Sequence, residues 1–414
     1  MYDLHLSAEQ LEIRDTVRDF VTQEIKPVVL DAARLDAGDR SLPLDLLDKA
    51  SRLGLRTLAL SEAASGAGAD QLTCCIVAEE LAAGDADIAA TLAETSRLGH
   101  VLFDQAMTRA QRDRFLPRFL DDDRCHLAFA GHEPGTDARL GVNYHRPVAA
   151  GRDVKTTAVK SQSGDWIVNG VKDCVANAPL ARLYAVEVAI PGRPGTRVVL
   201  VPADAPGLTA RPHERAWRHG PCGELAFADC RVPADNLLGE DAVDRLAGIP
   251  GRGSPLREAV SLGIGRAACE AALDYAQLRV QGGRRIVEHQ AIGTKLADIA
   301  IKLDVARAAV WRAAWGCDHP DAFTDRSLPD LPLQTIAQVF TSEAMLEAAK
   351  AAAEVFGAMG VMRDMPLQKY VNDARICLHA GAGNGEARLR IAEALVGYRH
   401  PPAAAGDALA AAGA

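Results

Sequence analysis

The first 125 residues have the apolar spacing of helices. Ser7 is followed three positions later by Gln10, the arrangement of a capping box in which each side chain satisfies the other residue's backbone N–H. Residues 78–92 and 110–120 repeat the three- and four-residue apolar spacing, which predicts further helices. After the cap, apolar residues recur at helical spacing: Leu11, Ile13, Val17, Phe20, Val21, Ile25 and Val28.

Residues 126–240 change to short β-branched runs separated by Pro and Gly, which predicts a compact β domain. Asn169-Gly170 stands between two apolar runs, and both residue types tolerate positive φ, so this pair predicts a hairpin turn. The predicted strands cover residues 156–159, 166–168, 184–190 and 197–201.

From residue 255 to 400 the pattern is helical again. The stretch 262–278 is rich in Ala and Gly, which favours close helix packing, and 333–356 predicts another long helix. In the stretch 292–315 five apolar side chains share one helical face: Leu296, Ile299, Leu303, Ala306 and Val310.

This order of elements predicts an α+β fold with three domains. An N-terminal helical domain (1–125) precedes a central β-barrel-like domain (126–243) and a C-terminal four-helix bundle (244–400). The Ala-, Gly- and Pro-rich end, 401–414, predicts a flexible tail.

Composition excludes several classes of function. The net charge of −9 does not favour nucleic acid or an anionic membrane surface as partner. The apolar runs are too short for a transmembrane helix, and the first ten residues do not form a secretory signal. The nine scattered cysteines are typical of reduced thiols, so we expect a cytoplasmic protein.

Simple motifs do not reveal the chemistry. The sequence contains no Cys-x-x-Cys, no His-Glu-x-x-His and no P-loop, so it predicts neither a metal site nor a nucleoside triphosphate site. The run Gly381-Ala-Gly383-Asn-Gly385 lacks the last glycine of a dinucleotide fingerprint and lies within helical sequence. Its backbone could still approach a ligand closely.

Several stretches together resemble the acyl-CoA dehydrogenase family. They occur in the family's order and spacing along nearly the whole chain, and residues 224–240 match the family's end of the β domain almost residue for residue. The other matching stretches are 129–137 with its Glu-Pro-Gly, 166–172 with Asn177, Arg279 with 287–298, 355–360 and 373–376.

The resemblance implies FAD as cofactor and an acyl-CoA thioester as substrate. In the family a glutamate removes the α-proton while the β-hydrogen leaves as hydride to the flavin, and donors hold the thioester oxygen as negative charge develops. One subunit holds the isoalloxazine, and its neighbour binds the pyrophosphate. The implied assembly is a homotetramer, or a heteromer in which this chain is a partner subunit.

The pyrophosphate-binding residues implied by the resemblance are partly retained, with Arg279, Gln290 and the Phe356-Gly357 turn in place. The isoalloxazine side departs from the family: His132 and Ala176 replace threonines and Cys174 replaces a tryptophan. The whole implied cofactor-binding set is Phe129, Gly131, His132, Val175, Ala176, Asn177, Arg279, Gln290, Glu354, Phe356, Gly357, Gly383 and Gly385, with Glu354 replacing a glutamine.

The catalytic glutamate is missing from both positions that the family uses. Gly381 occupies the usual position, and Leu256 occupies the alternative one, before Arg257. Glu258 lies one residue further, about 100° around a helix, so it need not face the same side. His379 and His132 are alternative bases, because histidine titrates near neutral pH.

Three functions stay open. The first is an FAD enzyme acting on an acyl-CoA or acyl-carrier thioester with base-independent chemistry, such as expulsion of a β-sulfinate, in which Arg257 binds an anionic substrate group. The second is a catalytically degenerate partner subunit of a heteromeric acyl-CoA dehydrogenase. The third is a flavin-free enzyme on the same fold.

Overall fold

The protein is described here by a computed structural model, which covers residues 5–35, 41–135, 154–213, 218–248, 252–379 and 383–397. In these parts of the chain, helices come first, a sheet follows, and helices follow the sheet. The predicted tail and Gly381 lie outside the described residues. Within these ranges, no helix combines the length and apolarity needed to cross a bilayer.

The described residues before the sheet form six α-helices. The capping box is confirmed: Ser7 Oγ accepts from the Gln10 backbone at 3.1 Å, and Gln10 Oε1 accepts from the Ser7 backbone at 3.0 Å. The predicted helical stretch 78–92 is wrong as one unit, because a turn interrupts it and Asp85 caps a new helix. The helices are α1 (Ala8–Phe20), α2 (Lys26–Val29), α3 (Leu44–Arg52), α4 (Gln71–Ala82), α5 (Ala86–Gly99) and α6 (Arg109–Asp121).

In the middle of the chain, the residues that the structure describes form a seven-stranded sheet in the order β1-β4-β2-β3-β7-β6, with β5 pairing on β4. Strands β1 and β4 are parallel, whereas β3 pairs antiparallel with both β2 and β7. The strands are β1 (His126–Ala130), β2 (Thr157–Lys160), β3 (Trp166–Ala176), β4 (Ala181–Ala189), β5 (Thr196–Pro202), β6 (Leu208–Pro212) and β7 (Cys222–Val232).

The predicted hairpin turn at Asn169-Gly170 is wrong, because both residues lie inside β3. The pairing of β3 with β7 shifts register here, and Asn169 exchanges hydrogen bonds with Asp229 on β7. Gly170 has φ +141°, and a Cβ there would meet Thr156 at 2.7 Å. The Asn-Gly pair therefore marks a β-bulge and a close approach of the backbone to Thr156. Both features favour Asn and Gly, as a hairpin turn does.

The C-terminal part is helical, with a small hairpin. Its long helices α8, α9 and α11 share a core with α12, and α4 from the N-terminal part packs on α8. Gly263 and Gly265 face α4 and α11 where a Cβ would clash, which confirms the predicted close packing. The elements are α7 (Ala242–Ala247), α8 (Leu256–Leu278), β8 (Val280–Gln281), β9 (Arg284–Arg285), α9 (Gln290–Asp318), α10 (Asp321–Thr324), α11 (Leu333–Val355), α12 (Leu367–Cys377) and α13 (Gly383–Val396).

Candidate active site

The ends of β1 and β3 lie side by side. The Asp173 backbone N–H donates to the His132 carbonyl at 3.0 Å, which joins the residues after β1 to the last residues of β3. The β3–β7 pairing shifts register between Lys172 and Val175, so the backbone is irregular where it meets His132. Two stretches that the resemblance assigns to the isoalloxazine are thus neighbours in space.

Gly131 allows the chain to pass close over its own strand. A Cβ at Gly131 would lie 2.9 Å from the Phe129 ring and 3.2 Å from Glu187 Oε2. Phe129 and Gly131 are both half-buried, whereas Val175 is buried and Ala176 is half-buried. The glycine is required here by packing, whatever ligand the neighbouring surface binds.

Glu133 forms a buried ion pair with Lys172 on β3. Lys172 Nζ donates to Glu133 Oε1 at 2.8 Å, and the backbone N–H groups of Lys155 and Thr156 donate to the same carboxylate at 2.8 and 3.0 Å. Burial alone would raise the pKa of Glu133, but these donors lower it to about 2. The Glu-Pro-Gly glutamate is therefore an ionised anchor for this segment.

Asn177 connects the end of β3 to helix α5 through hydrogen bonds. Its Nδ2 donates to the Thr91 carbonyl and to Thr95 Oγ1, both at 3.1 Å, and its side chain is buried. Its φ of +59° lies in the left-handed region that asparagine tolerates better than most residues. This residue shapes the backbone beside Ala176.

Cys174, at the position of a family tryptophan, is exposed and has φ +51°. Its carbonyl accepts from Arg218 Nη1 at 2.9 Å. The neighbouring Asp173 carboxylate pairs with His213 Nε2 at 2.6 Å, and the possible ligand atoms of Asp173, Cys174 and His213 lie within 4.8 Å of one another. The sequence predicted neither this pairing nor the contact from Arg218.

A second group of predicted residues meets at one end of the C-terminal helices. Phe356 stacks on Tyr275, with ring centroids 4.1 Å apart, and Arg279 follows one turn after Tyr275 at the end of α8. Gly357 has φ +58°, and the space where its Cβ would stand is open. Gln290 begins α9 beside the small hairpin, and its side chain is exposed like that of Arg279.

This end of the bundle is basic. Arg279, Arg284 and Arg285 are exposed around the β8–β9 hairpin. Glu354, which the sequence places unfavourably near a phosphate, forms an ion pair with Lys295, so its charge is balanced within the chain. The arrangement suits a pyrophosphate, because guanidinium groups bind phosphate oxygens in pairs.

Gly383 and Gly385 lie in the first turn of α13. Gly383 has φ +83°, and open space surrounds both glycines where a Cβ would stand. The intervening Asn384 donates to Ser342 Oγ at 3.0 Å and to Glu343 Oε1 at 3.1 Å, which fixes this turn against α11. Backbone groups of the turn therefore border accessible space.

The candidate bases diverge in position. Arg257 is exposed at the start of α8, whereas the adjacent Glu258 is buried and its Oε1 accepts from Gln334 Nε2 at 2.8 Å. Burial raises the pKa of Glu258. The Glu258 carboxylate therefore points between α8 and α11, whereas Arg257 points to another side of α8. Neighbouring residues lie about 100° apart around a helix, so this difference is expected. His379 is exposed after α12, and His132 is half-buried beside Asp173.

Sequence reasoning missed a charged group on α5. Glu94 accepts from Arg97 Nε at 3.0 Å and from Arg97 Nη2 at 2.9 Å, and both side chains are half-buried. Arg218 and His219, just before β7, were missed as well. The sequence did contain a signal for the α5 group, because charged residues interrupt an otherwise apolar stretch there. Spacing alone does not show which charged residues come together in the fold.

Comparison with known proteins identifies the family. Models of the N-terminal, middle and C-terminal domains of acyl-CoA dehydrogenase match residues 7–123, 149–230 and 255–396. An acyl-CoA dehydrogenase of Bacillus subtilis is 31% identical over 95% of this chain and 100% of its own length. The chain belongs to the acyl-CoA dehydrogenase family. The predicted resemblance and the predicted fold class are therefore confirmed.

Other members of the acyl-CoA dehydrogenase family agree with this assignment. The short-chain specific acyl-CoA dehydrogenase of Rattus norvegicus is 30% identical, covering 88% of this chain and 84% of the relative. The structure of butyryl-CoA dehydrogenase from Megasphaera elsdenii has a TM-score of 0.79 at 26% identity, covering 95% of this chain and 100% of that one. Family members act on acyl-CoA thioesters, which is the substrate class predicted.

Proposed function

We propose that this chain is an FAD-dependent enzyme that binds an acyl-CoA thioester and works without a carboxylate at position 381. FAD is the cofactor of the family, so membership of the family confirms the predicted cofactor. When bound, FAD would accept a β-hydride only from a substrate that also loses its α-proton to a base. The specific chemistry, the acyl group and the assembly are parts of the proposal.

The single observation that carries the proposal is the meeting of the β1 and β3 ends. His132 and Asp173 are joined by a backbone hydrogen bond at 3.0 Å, and the exposed Cys174 and half-buried Ala176 follow. Small side chains at 174 and 176 leave room over the end of β3, where the Cys174 backbone N–H and carbonyl already bond to Asp173 and Arg218. A flat ring system fits such a surface, and the buried Glu133–Lys172 pair keeps it rigid.

The nucleotide half of the cofactor fits the other group of residues. Exposed Arg279 and Gln290 offer donors, and Gly357 lets a ligand approach the backbone. Because the family completes each flavin site from two subunits, we extend the proposal to a homotetramer. Exposed apolar side chains on the C-terminal helices, such as Leu278, Ile301 and Leu395, would be stabilised if another subunit covered them.

The chemistry that we propose follows from the glycine at position 381, where the family has its catalytic glutamate. A saturated thioester gives up its α-proton only to a positioned base. Glu258 is held by Gln334 inside the bundle, so we do not assign that role to it. We therefore expect slow α-proton removal, and turnover with thioesters whose activation does not depend on a protein carboxylate.

The test is the visible absorbance of the purified chain, expressed alone and then mixed with FAD. We expect a flavin spectrum with close to one FAD for each chain, and a spectral change when an acyl-CoA thioester is added. A colourless protein that does not bind added FAD would contradict the proposal. That result would favour the partner-subunit alternative, in which the retained Arg279 and Gln290 complete the flavin site of another chain.

A further inference from the structure

Three metal-ligating side chains come together at the end of β3. Among the residues that the structure describes, Asp173, Cys174 and His213 place a carboxylate oxygen, a sulfur and an imidazole nitrogen within 4.8 Å of one another. These are the three kinds of ligand atom that zinc accepts in proteins. Local motifs did not predict the group, because His213 follows Asp173 by 40 residues. The fold alone brings the three residues together.

The backbone holds both sides of this group in place. Strand β7 pairs with β3 on one side and with β6 on the other, and the backbone N–H of His213, directly after β6, donates to the Cys222 carbonyl at 2.9 Å. The β3–β7 register shifts between Lys172 and Val175. Within this shift Cys174 has φ +51°, a conformation that residues other than glycine rarely adopt and that is concentrated at functional sites.

The distances suit a small ion after minor adjustment. His213 Nε2 and Asp173 Oδ1 form a hydrogen bond at 2.6 Å. A tetrahedral ion with ligand bonds of about 2.0–2.3 Å separates its ligand atoms by roughly 3.3–3.6 Å. The ion can therefore replace the shared proton when the side chains shift by about 1 Å. Cys174 and His213 are exposed, and exposed side chains make such movements readily.

The charges of the ligands match a divalent cation. The Asp173 carboxylate and a Cys174 thiolate together carry two negative charges, and neutral His213 adds an uncharged ligand. Arg218 Nη1 donates to the Cys174 carbonyl at 2.9 Å, and an arginine beside a cysteine favours the thiolate, which is the form that binds metal. Three protein ligands leave the fourth position of a tetrahedral ion to water or another donor.

We propose that Asp173, Cys174 and His213 bind Zn²⁺, and that the ion joins the end of β3 to the residue after β6. Sulfur and imidazole ligands select zinc over Mg²⁺ and Ca²⁺, which prefer oxygen. The inference goes beyond the proposed function and does not depend on it, because all three ligands belong to this chain and the binding requires no thioester.

The test uses the full chain as purified, after treatment with a chelator that is then dialysed away. Calorimetric titration should show one Zn²⁺ bound per chain. Difference spectra with Co²⁺ should show the visible bands of a tetrahedral ion and an ultraviolet sulfur-to-cobalt charge-transfer band.

Two ligand variants and one control locate the ion. Cys174→Ser and His213→Gln should each weaken Zn²⁺ binding roughly a hundredfold or more, because loss of an outer-shell partner alone costs about 10–100-fold. Cys174→Ser should also remove the charge-transfer band. Cys269→Ser, at a half-buried thiol of α8, should change neither the affinity nor the spectrum. Zinc should raise the thermal unfolding midpoint of wild type but not that of Cys174→Ser, since a ligand of the folded chain stabilises it.

Two results would overturn the inference. The first is a wild-type protein that binds no Zn²⁺. The second is Zn²⁺ binding that Cys174→Ser and His213→Gln leave unchanged, because the ion would then lie elsewhere. Binding of FAD and of a thioester is measured separately, so neither result bears on the proposed function.

Discussion

Lys172 Nζ donates to the Glu133 carboxylate at 2.8 Å, and both side chains are buried. The pair joins the segment after β1 to strand β3, the two elements whose ends form the candidate isoalloxazine surface. We predict that Lys172→Met lowers the free energy of unfolding by about 3–5 kcal/mol, because it removes the cation that neutralises a buried carboxylate. Urea unfolding measures the loss.

The double variant Glu133→Gln with Lys172→Met is the control for this pair. Because it removes both charges, its loss of stability should be smaller than the sum of the two single losses. Strictly additive effects would show that the two charges do not interact, against the geometry.

A second, partly buried pair joins three parts of the chain. His219 Nδ1 faces the Asp87 carboxylate at 3.1 Å and its Nε2 faces the Asp373 carbonyl at 2.9 Å, so both nitrogens meet acceptors and the ring is an imidazolium. Burial alone would lower the pKa of His219, but the hydrogen bond to Asp87 raises it well above its usual value. The contact stabilises α5 against the start of β7 and α12.

His219→Gln should therefore cost about 1.5–3 kcal/mol at about pH 6, where the histidine is protonated in both the folded and the unfolded chain. A raised folded pKa means that this stabilisation is lost as the pH rises through that value. Denaturant unfolding at increasing pH should show the gap between wild type and variant narrowing above about pH 6.5. Asp87→Asn should remove most of this pH dependence. A gap that widens toward alkaline pH would contradict the assignment.

Glu258, unlike His219, destabilises the folded chain when it is charged. Its Oε2 is buried without a hydrogen-bond partner among the described residues, and burial raises its pKa. The folded state therefore disfavours the ionised form, and the penalty is present above the unfolded pKa of about 4.5 and absent below it. Glu258→Gln should be more stable than wild type by about 1 kcal/mol at neutral pH, and equally stable in acid. A variant of lower stability that also loses flavin reduction would place Glu258 in the catalytic site instead.

Arg279 provides a test of the proposed nucleotide end. Arg279→Gln should weaken FAD binding roughly tenfold to a hundredfold, since a hydrogen bond to a charged group contributes about 1.5–3 kcal/mol. Fluorescence titration of the apoprotein with FAD measures the affinity. Arg109→Gln, at an exposed arginine of α6, is the matched control. Equal affinities of the two variants would exclude Arg279 from the cofactor site.

The sequence predicted the order and type of the elements because apolar periodicity extends over many residues, as in 292–315, which lies within α9. It failed at Asn169-Gly170, since a bulge and a turn favour the same residues. The resemblance assigns Phe129, Ala176 and Arg279 to the cofactor site through matched stretches, and this assignment stays a prediction. Arg218 and Glu94 were missed because their importance comes from convergence of segments far apart in the chain, which no local pattern encodes.

The most direct test of the account is flavin reduction by a saturated acyl-CoA on anaerobic mixing with Gly381→Glu. A positioned base contributes roughly a hundredfold to ten-thousandfold to proton removal, so this variant should bleach the flavin at least about a hundred times faster than wild type. Gly381→Gln, which has the same shape without the charge, should not gain activity. Wild-type protein that already bleaches as fast as Gly381→Glu would contradict the claim that this chain works without a carboxylate at position 381.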